Sequence, residues 1–493
     1  MIAIVGQANA DRDAASIQAY GDQSFACHRP ANPQLQRPGA VLKPTSTEQV
    51  SHLLRIAHEF SIPIVASSGL TSIEGQNIHT RGPQSVSISF ENMNKILAFH
   101  PQDLDIVVQP GVGWENINAY LSESQVGSHL MFGPDPGPGA NIGGMVGTSC
   151  SGTNAYRYGT MKENVVNLTV VLADGSVIKT KQRPRKSSAG YDMTHLFIGS
   201  EGTLGLVTEI TLKLHVRPKF ELVSVVSFPT IGDAARVASA VIASGIQPNA
   251  MEVLDERTIS FVNNLSEKKQ IAKPTLFFKF GGPTKDIIKT QIDLVKAIAM
   301  DHHMIEFRES KDDAESLELW EARRSGFFST LAYGKQVLAD TTDVNGYGTD
   351  MAVPVSKLAQ VMEAGIAALQ EAGFADKFSC MGHIGDGNYH FMILYNSPEY
   401  HQVVELAAKM VEQALDLEGT CTGEHGVGMG KRKFLAKELG QVTLDAERRI
   451  KLALDPKRIL NPDKIFKIDP LDDYDEQLEK RKILAKPDCM YNH

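Results

Sequence analysis

Apolar residues recur at Val50, Leu53, Leu54 and Ala57 behind the capping-type residues Thr45, Ser46 and Thr47, a spacing that predicts a helix over residues 45–60. The short apolar run at 62–65 then reads as a buried strand. The pattern returns as an apolar run at 106–108, a Gly111-Val112-Gly113 break and a helix over 114–121. Residues 165–172 and 177–180 flank Asp174-Gly175, a pair that tolerates positive φ, and predict a hairpin closed by a type I′ turn. Ile210, Leu212, Leu214 and Val216 alternate and should all face inward. Pro218 punctuates the chain; beyond it a strand at 222–228, a helix at 234–243 and a strand at 250–254 open a run of strand and helix pairs reaching about residue 370. A mixed α/β first half and an α+β second half, its sheet covered by helices on one side, follow from these patterns.

Glycine breaks the pattern in three places, 67–75, 133–159 and 199–205, each beside an expected strand. Without Cβ, consecutive backbone N–H groups can point one way and hold pyrophosphate oxygens. Each cluster alone reads more readily as a plain turn than as a phosphate site; three in one half point to a nucleotide cofactor. A P-loop fails, because its first glycine would fall on His425 and its last position on Arg432. Gly199, Gly202 and Gly205 run as GxxGxxG into a strand rather than a helix, which disfavours a Rossmann site.

Two later segments do not look like packing: GHIGDGNYH at 382–390 and CTGEHGVGMGK at 421–431. A Gly-Asp-Gly turn between His383 and His390 could bring both imidazoles to one point, and Glu424 would complete a three-ligand divalent site with open positions. On spacing alone the two histidines read more readily as hydrogen-bonded turn residues than as ligands.

The chain of 493 residues exceeds what one hydrophobic core usually supports, so two or more domains are expected. Its formal charge of −9, without a long basic block, argues against nucleic-acid binding, and the basic clusters at 181–186 and 480–482 read as solvated loop and tail. Five cysteines without a CxxC pair suit a reducing compartment. No apolar run approaches the ~20 residues needed to span a bilayer, so no transmembrane segment is expected. Residues 1–5 are too short for a secretory signal, and Asp11, Arg12 and Asp13 are unlike an organelle transit peptide.

Residues 137–160 (GPGANIGGMVGTSCSGTNAYRYGT), GSEGTLGLV at 199–207 and the two second-half segments together resemble the FAD-linked D-2-hydroxy acid dehydrogenases, flavoproteins of the vanillyl-alcohol-oxidase type. Within them the likeness is greatest to those that oxidise D-lactate and pass electrons to cytochrome c. It covers roughly residues 16 to 466 and implies a two-part FAD-binding domain at 37–217, an α+β, ferredoxin-like substrate and metal domain at 218–459, and a C-terminal helical segment at 460–493 returning to the flavin.

The resemblance puts the pyrophosphate on Ser68, Gly69, Thr71, Ser72, Pro134, Gly139, Gly143 and Gly144. It puts the flavin or its ribityl chain near Ser149, Gly152, Asn154, Tyr158 and Gly159, and the adenosine side on Glu201, Gly202 and Val207, with Asn461 joining from the C-terminal segment. The first loop departs from the family in carrying Leu70 where glycine is usual, a cost of order 1 kcal/mol if φ is positive there. His383, His390 and Glu424 become ligands of a divalent metal, zinc or manganese. His425 becomes the base that takes the hydroxyl proton, the bland alternative being an orienter of Glu424. Arg323 pairs with the substrate carboxylate, with Arg324 beside it, and residues 349–354 line the pocket.

The implied activity is oxidation of a small D-2-hydroxy acid, D-lactate first, with D-2-hydroxyglutarate and glycolate open, and with a separate acceptor such as cytochrome c. A metal-dependent hydrolase and a flavin-binding protein without turnover are the rivals. The family suggests a mitochondrion, composition equally the cytoplasm, and a homodimer stays open.

Overall fold

The computed structural model describes residues 1–21, 26–266 and 268–468. The expected tail at 480–482, Cys489 and most of the segment 460–493 lie outside them. Two sheets build the first half. A four-stranded sheet runs Ala10–Asp11, Ala40–Leu42, Val86–Ser89, Ile64–Ser67, with its last three strands parallel. Helix Thr47–Phe60, capped by the Ser46 hydroxyl, lays Val50, Leu53, Leu54 and Ala57 on it, all fully buried. Each such leucine contributes roughly 2 kcal/mol by leaving water. The second sheet, Ile96–His100, Asp105–Val108, Leu206–Lys213, Val165–Val171, Val177–Lys179, is antiparallel. Helices Trp114–Glu123 and Ile142–Thr148 bury Ile117, Leu121, Ile142 and Val146 in its core.

Two expectations change here. In the hairpin 165–179 only Gly175 takes positive φ, +83°, and its N–H bonds Leu172 O, so Asp174 is not left-handed and the turn is not type I′. A glycine bulge after an ordinary turn satisfies the same Asp-Gly signal. Val216 is 58% exposed, because the strand ends at Lys213 and His215–Val216 leave to pair with Leu130–Met131.

After Pro218, strands Phe220–Ser227, Ala250–Leu254, Thr275–Gly282 and Glu306–Glu309 alternate with helices Ile231–Ala243 and Lys285–Asp301 in spatial order fourth, first, third, second, the ferredoxin-like arrangement. The antiparallel sheet continues through Phe378–Gly382, Asn388–Tyr395 and Asn345–Gly348. Period 2 divides its residues: Met251, Val253, Leu276 and Phe278 face one core, while Ala250, Leu254, Val225 and Phe277 face another with Leu319 and Trp320. Helices Glu256–Leu265 and Asp313–Val337 cover this second face, so the sheet is sandwiched rather than covered on one side.

The C-terminal helix Gln441–Leu454 precedes an extended return: Ile64 N–H bonds Ile459 O and Asn461 N–H bonds Ile64 O, both at 2.7 Å, setting Leu460 beside the first sheet. No described helix is long and apolar enough to cross a membrane, and Cys27, Cys150, Cys380 and Cys421 are free thiols.

Candidate functional site

The three glycine stretches meet. Ser68 Oγ accepts the Gly144 N–H at 3.0 Å, and a Cβ on Gly69 would collide with Gly139 O, so the loops at 68–72 and 139–144 touch. Gly143 N–H bonds Pro110 O. Helix Ile142–Thr148 then receives the third stretch, with Gly199 N–H on Val146 O and Glu201 N–H on Gly147 O, both at 2.9 Å. Gly139 and Thr71 are exposed, and Ser72, Ser149, Gly202 and Val207 are half-buried. Asp135 organises the middle stretch behind the buried Pro134: it accepts from Asn154 N–H and Thr153 Oγ, and a Cβ on Gly152 would strike it. Asn164, fully buried, donates to the carbonyls of Tyr158 and Gly159, and the Tyr158 ring lies 4.9 Å from His215.

Each stretch holds one non-glycine residue in the left-handed region: Leu70 at φ 54°, Ser149 at 55° and Glu201 at 50°. Such strain costs of order 1–3 kcal/mol and gathers at ligand sites. Leu70→Gly is therefore expected to raise stability by roughly 1 kcal/mol, the left-handed cost less glycine's entropy. Denaturant unfolding reads it; a loss would show that the Leu70 side chain outweighs its backbone.

The buried side chains of Glu201 and Asn461 are engaged within the protein. Glu201 accepts Val427 N–H at 2.6 Å and Gly428 N–H at 2.9 Å, and burial pushes its pKa up to about 7. Asn461 Nδ2 donates to Glu201 O and Gln76 O.

In the second half, His383 ends strand Phe378–Gly382, a single turn at Ile384–Asp386 follows with Gly387 left-handed at φ 77°, and His390 lies on the returning strand. Both imidazoles reach Glu424: His383 Nε2 and His390 Nε2 each lie 3.2 Å from its Oε1. Their other nitrogens are engaged, His383 Nδ1 by Glu252 at 2.8 Å and His390 Nδ1 by Thr349 O at 2.8 Å. Burial opposes charge on His383, but Glu252 and Glu424 outweigh it and hold its pKa well above the imidazole value. Burial likewise works against ionised Glu424, and His383 and His390 overcome it, keeping the carboxyl well below its usual range.

Two imidazole Nε2 atoms converging on one carboxylate, each ring fixed through Nδ1, fit a divalent cation. Asp350, His390 and His425 also cluster within ligand distance. Asp350 differs in that its oxygens already accept from Thr422 Oγ, the N–H groups of Glu424 and His425, and Asn388 Nδ2. Among the described residues, His383, His390 and Glu424 form the donor set less committed to backbone donors.

His425 stacks on His390, centroids 5.2 Å apart and planes 18° from parallel, and its buried Nδ1 has no hydrogen-bond partner. Burial, helped by His390, lowers its pKa against the pull of Asp350. Arg323 is buried on helix Asp313–Val337 and sends Nε and Nη2 to Glu252 Oε2 at 2.9 and 2.8 Å. Arg324, one residue on, is exposed beside Glu321; a helix turns about 100° per residue, which removes Arg324 from the site. Within 349–354, Thr349 O and Asp350 meet the cluster.

Sequence reasoning missed Glu252, and reached Asp350 only as one residue of the pocket-lining stretch 349–354. Glu252 is a lone charge in the apolar strand Ala250–Leu254 and is fully buried, which signals a paired carboxylate. It links Arg323 to His383, so Glu252→Gln should weaken metal binding about 10–100-fold. Competition with a chelator measures this, and an unchanged affinity would remove Glu252 from that role.

A cradle from the first half set against this cluster is the arrangement of a two-domain FAD-binding protein of the vanillyl-alcohol-oxidase type. A family model described as FAD binding domain matches residues 38–181, and one described as FAD linked oxidases, C-terminal domain, matches residues 217–465. The chain belongs to the FAD-linked oxidases. It is 50% identical over 461 residues to a Kluyveromyces lactis protein named D-lactate dehydrogenase (cytochrome), mitochondrial, covering 92% of this chain and 78% of the relative. A Saccharomyces cerevisiae protein, D-lactate dehydrogenase (cytochrome) 1, mitochondrial, is 50% identical over 459 residues, covering 92% and 76%. The structure of 4-ethylphenol oxidase from Gulosibacter chungangensis shares the fold at 18% identity, with a TM-score of 0.76 over 95% of this chain and 96% of that one.

Proposed function

We propose that this chain is a mitochondrial D-lactate dehydrogenase, oxidising D-lactate to the 2-oxo acid and passing electrons to cytochrome. The relatives named for this activity support it, and the observation that carries it is the joining of the two half-sites: Gln76, beside the first glycine loop, donates through Nε2 to His425 O at 2.8 Å. FAD, held by the glycine stretches, would supply a hydride acceptor, and a divalent ion held by His383, His390 and Glu424 would supply a Lewis acid that lowers the pKa of the substrate hydroxyl.

His425 takes the hydroxyl proton. Its lowered pKa keeps it neutral at working pH, ready to accept. Arg323, with Nε and Nη2 fixed by Glu252, meets the substrate carboxylate through Nη1. Ser68, Gly69, Thr71, Ser72, Gly139, Gly143 and Gly144 cradle the pyrophosphate, and Ser149, Gly152, Asn154, Tyr158 and Gly159 approach the flavin.

Purified protein is expected to be yellow and to bleach anaerobically with D-lactate but not L-lactate. Bleaching by glycolate or D-2-hydroxyglutarate in preference would reassign the substrate, and a colourless hydrolase would overturn the reading.

A further inference from the structure

The segment that carries Glu424 and His425 has no secondary structure of its own. Neither helix nor strand spans residues 421–431, and Gly426 and Gly428 take positive φ, +79° and +50°. A base on such a chain must still be held within about 0.5 Å of its working position. Four of its backbone donors, those of Glu424, His425, Val427 and Gly428, are instead gripped by two buried carboxylates from elsewhere. Asp350, fully buried, accepts through Oδ2 from Glu424 N–H at 3.0 Å, His425 N–H at 2.9 Å and Thr422 Oγ at 2.7 Å. Its Oδ1 accepts Asn388 Nδ2 at 2.9 Å, tying the segment to the strand of His390. Beyond His425, Glu201, 6% exposed, takes Val427 N–H and Gly428 N–H.

We propose that Asp350 and Glu201 are positioning residues for the reaction: a charge-assisted grip from Asp350 and a second carboxyl grip from Glu201, on either side of His425, that replace the missing secondary structure and fix its imidazole against the substrate hydroxyl. The proposal rests on His425 being the base. Asp350 grips the His425 peptide itself, while Glu201 grips two and three residues on, so the Asp350 effect is the larger.

The test is a double-mutant cycle on the FAD- and metal-loaded protein. Asp350→Asn should slow anaerobic flavin reduction by D-lactate about 10²-fold, the scale of a misplaced catalytic group, and Glu201→Gln about 10-fold. In a His425→Ala background each should change the rate by less than about threefold, because what they position is gone. Equal fold-losses in both backgrounds, or loss of the ion from Asp350→Asn, would overturn the proposal. An unchanged rate in His425→Ala alone would instead sink the base role in the proposed function.

Amide hydrogen exchange gives a readout apart from turnover. In the protein without metal, Asp350→Asn should speed exchange of the Glu424 and His425 amides and leave the first sheet unchanged; unaltered exchange there would count against the grip. If Asp350→Asn does not fold, Thr422→Val, which removes one donor to Asp350, carries the same cycle at smaller amplitude, and additivity with His425→Ala again overturns the idea.

Discussion

Replacing His425 by alanine is expected to lower the rate of anaerobic flavin reduction by D-lactate about 10²-fold or more while the protein stays yellow. The imidazole lies against His390, and its buried Nδ1 makes no hydrogen bond, lying 3.9 Å from Asp350 Oδ2, so the alanine variant sacrifices no hydrogen bond at that atom. Its backbone N–H and C=O keep their bonds to Asp350 and Gln76 in the alanine variant. The base works only when neutral, so wild-type kcat/KM should rise with pH through an ionisation lying below the ordinary imidazole value, the direction set by burial and by His390. A bound cation adds to that shift with the same sign. Stopped-flow pH profiles test both parts: an unchanged rate in the variant, or retention of its acid limb, would exclude His425.

Removing the ion has the second large effect. Chelation, or Glu424→Gln, should abolish flavin reduction by substrate and leave FAD in place, because the glycine stretches that form the cradle share no side chain with His383, His390 and Glu424. Metal analysis and the flavin spectrum read the two halves separately. Without a cation, Glu424 keeps two imidazoles on one oxygen, so the protein remains folded and refills. Flavin released together with the metal, or full turnover in its absence, would refute this.

Elements with a strong period were legible before any coordinates. The helix Thr47–Phe60 and the strand Ala250–Leu254 follow directly from where their apolar residues fall. Val216 was not, because alternation continues past the point at which the strand leaves its sheet, and only the pairing with Leu130 reveals the exit. That helices cover the second face as well was not legible, because a strand buried on both faces reads as one apolar run. At the site, His383, His390, Glu424 and His425 stood out through glycine spacing and family likeness. Asp350 and Glu252 lie in ordinary strand-like stretches, and their meaning depends on partners 70 or more residues away. Leu70 shows the reverse: a residue that breaks the local rule marked a left-handed position correctly.

The first parallel strands are finished from the other end of the polypeptide. Ile459 and Asn461 bond Ile64, and Lys464 Nζ donates to Ile78 O. During synthesis the ribosome must therefore deliver more than 380 further residues before the N-terminal lobe closes. Until then its open edge is exposed to mispairing, which makes chaperone capture of the nascent chain, rather than early autonomous folding of that lobe, the expected course of biogenesis.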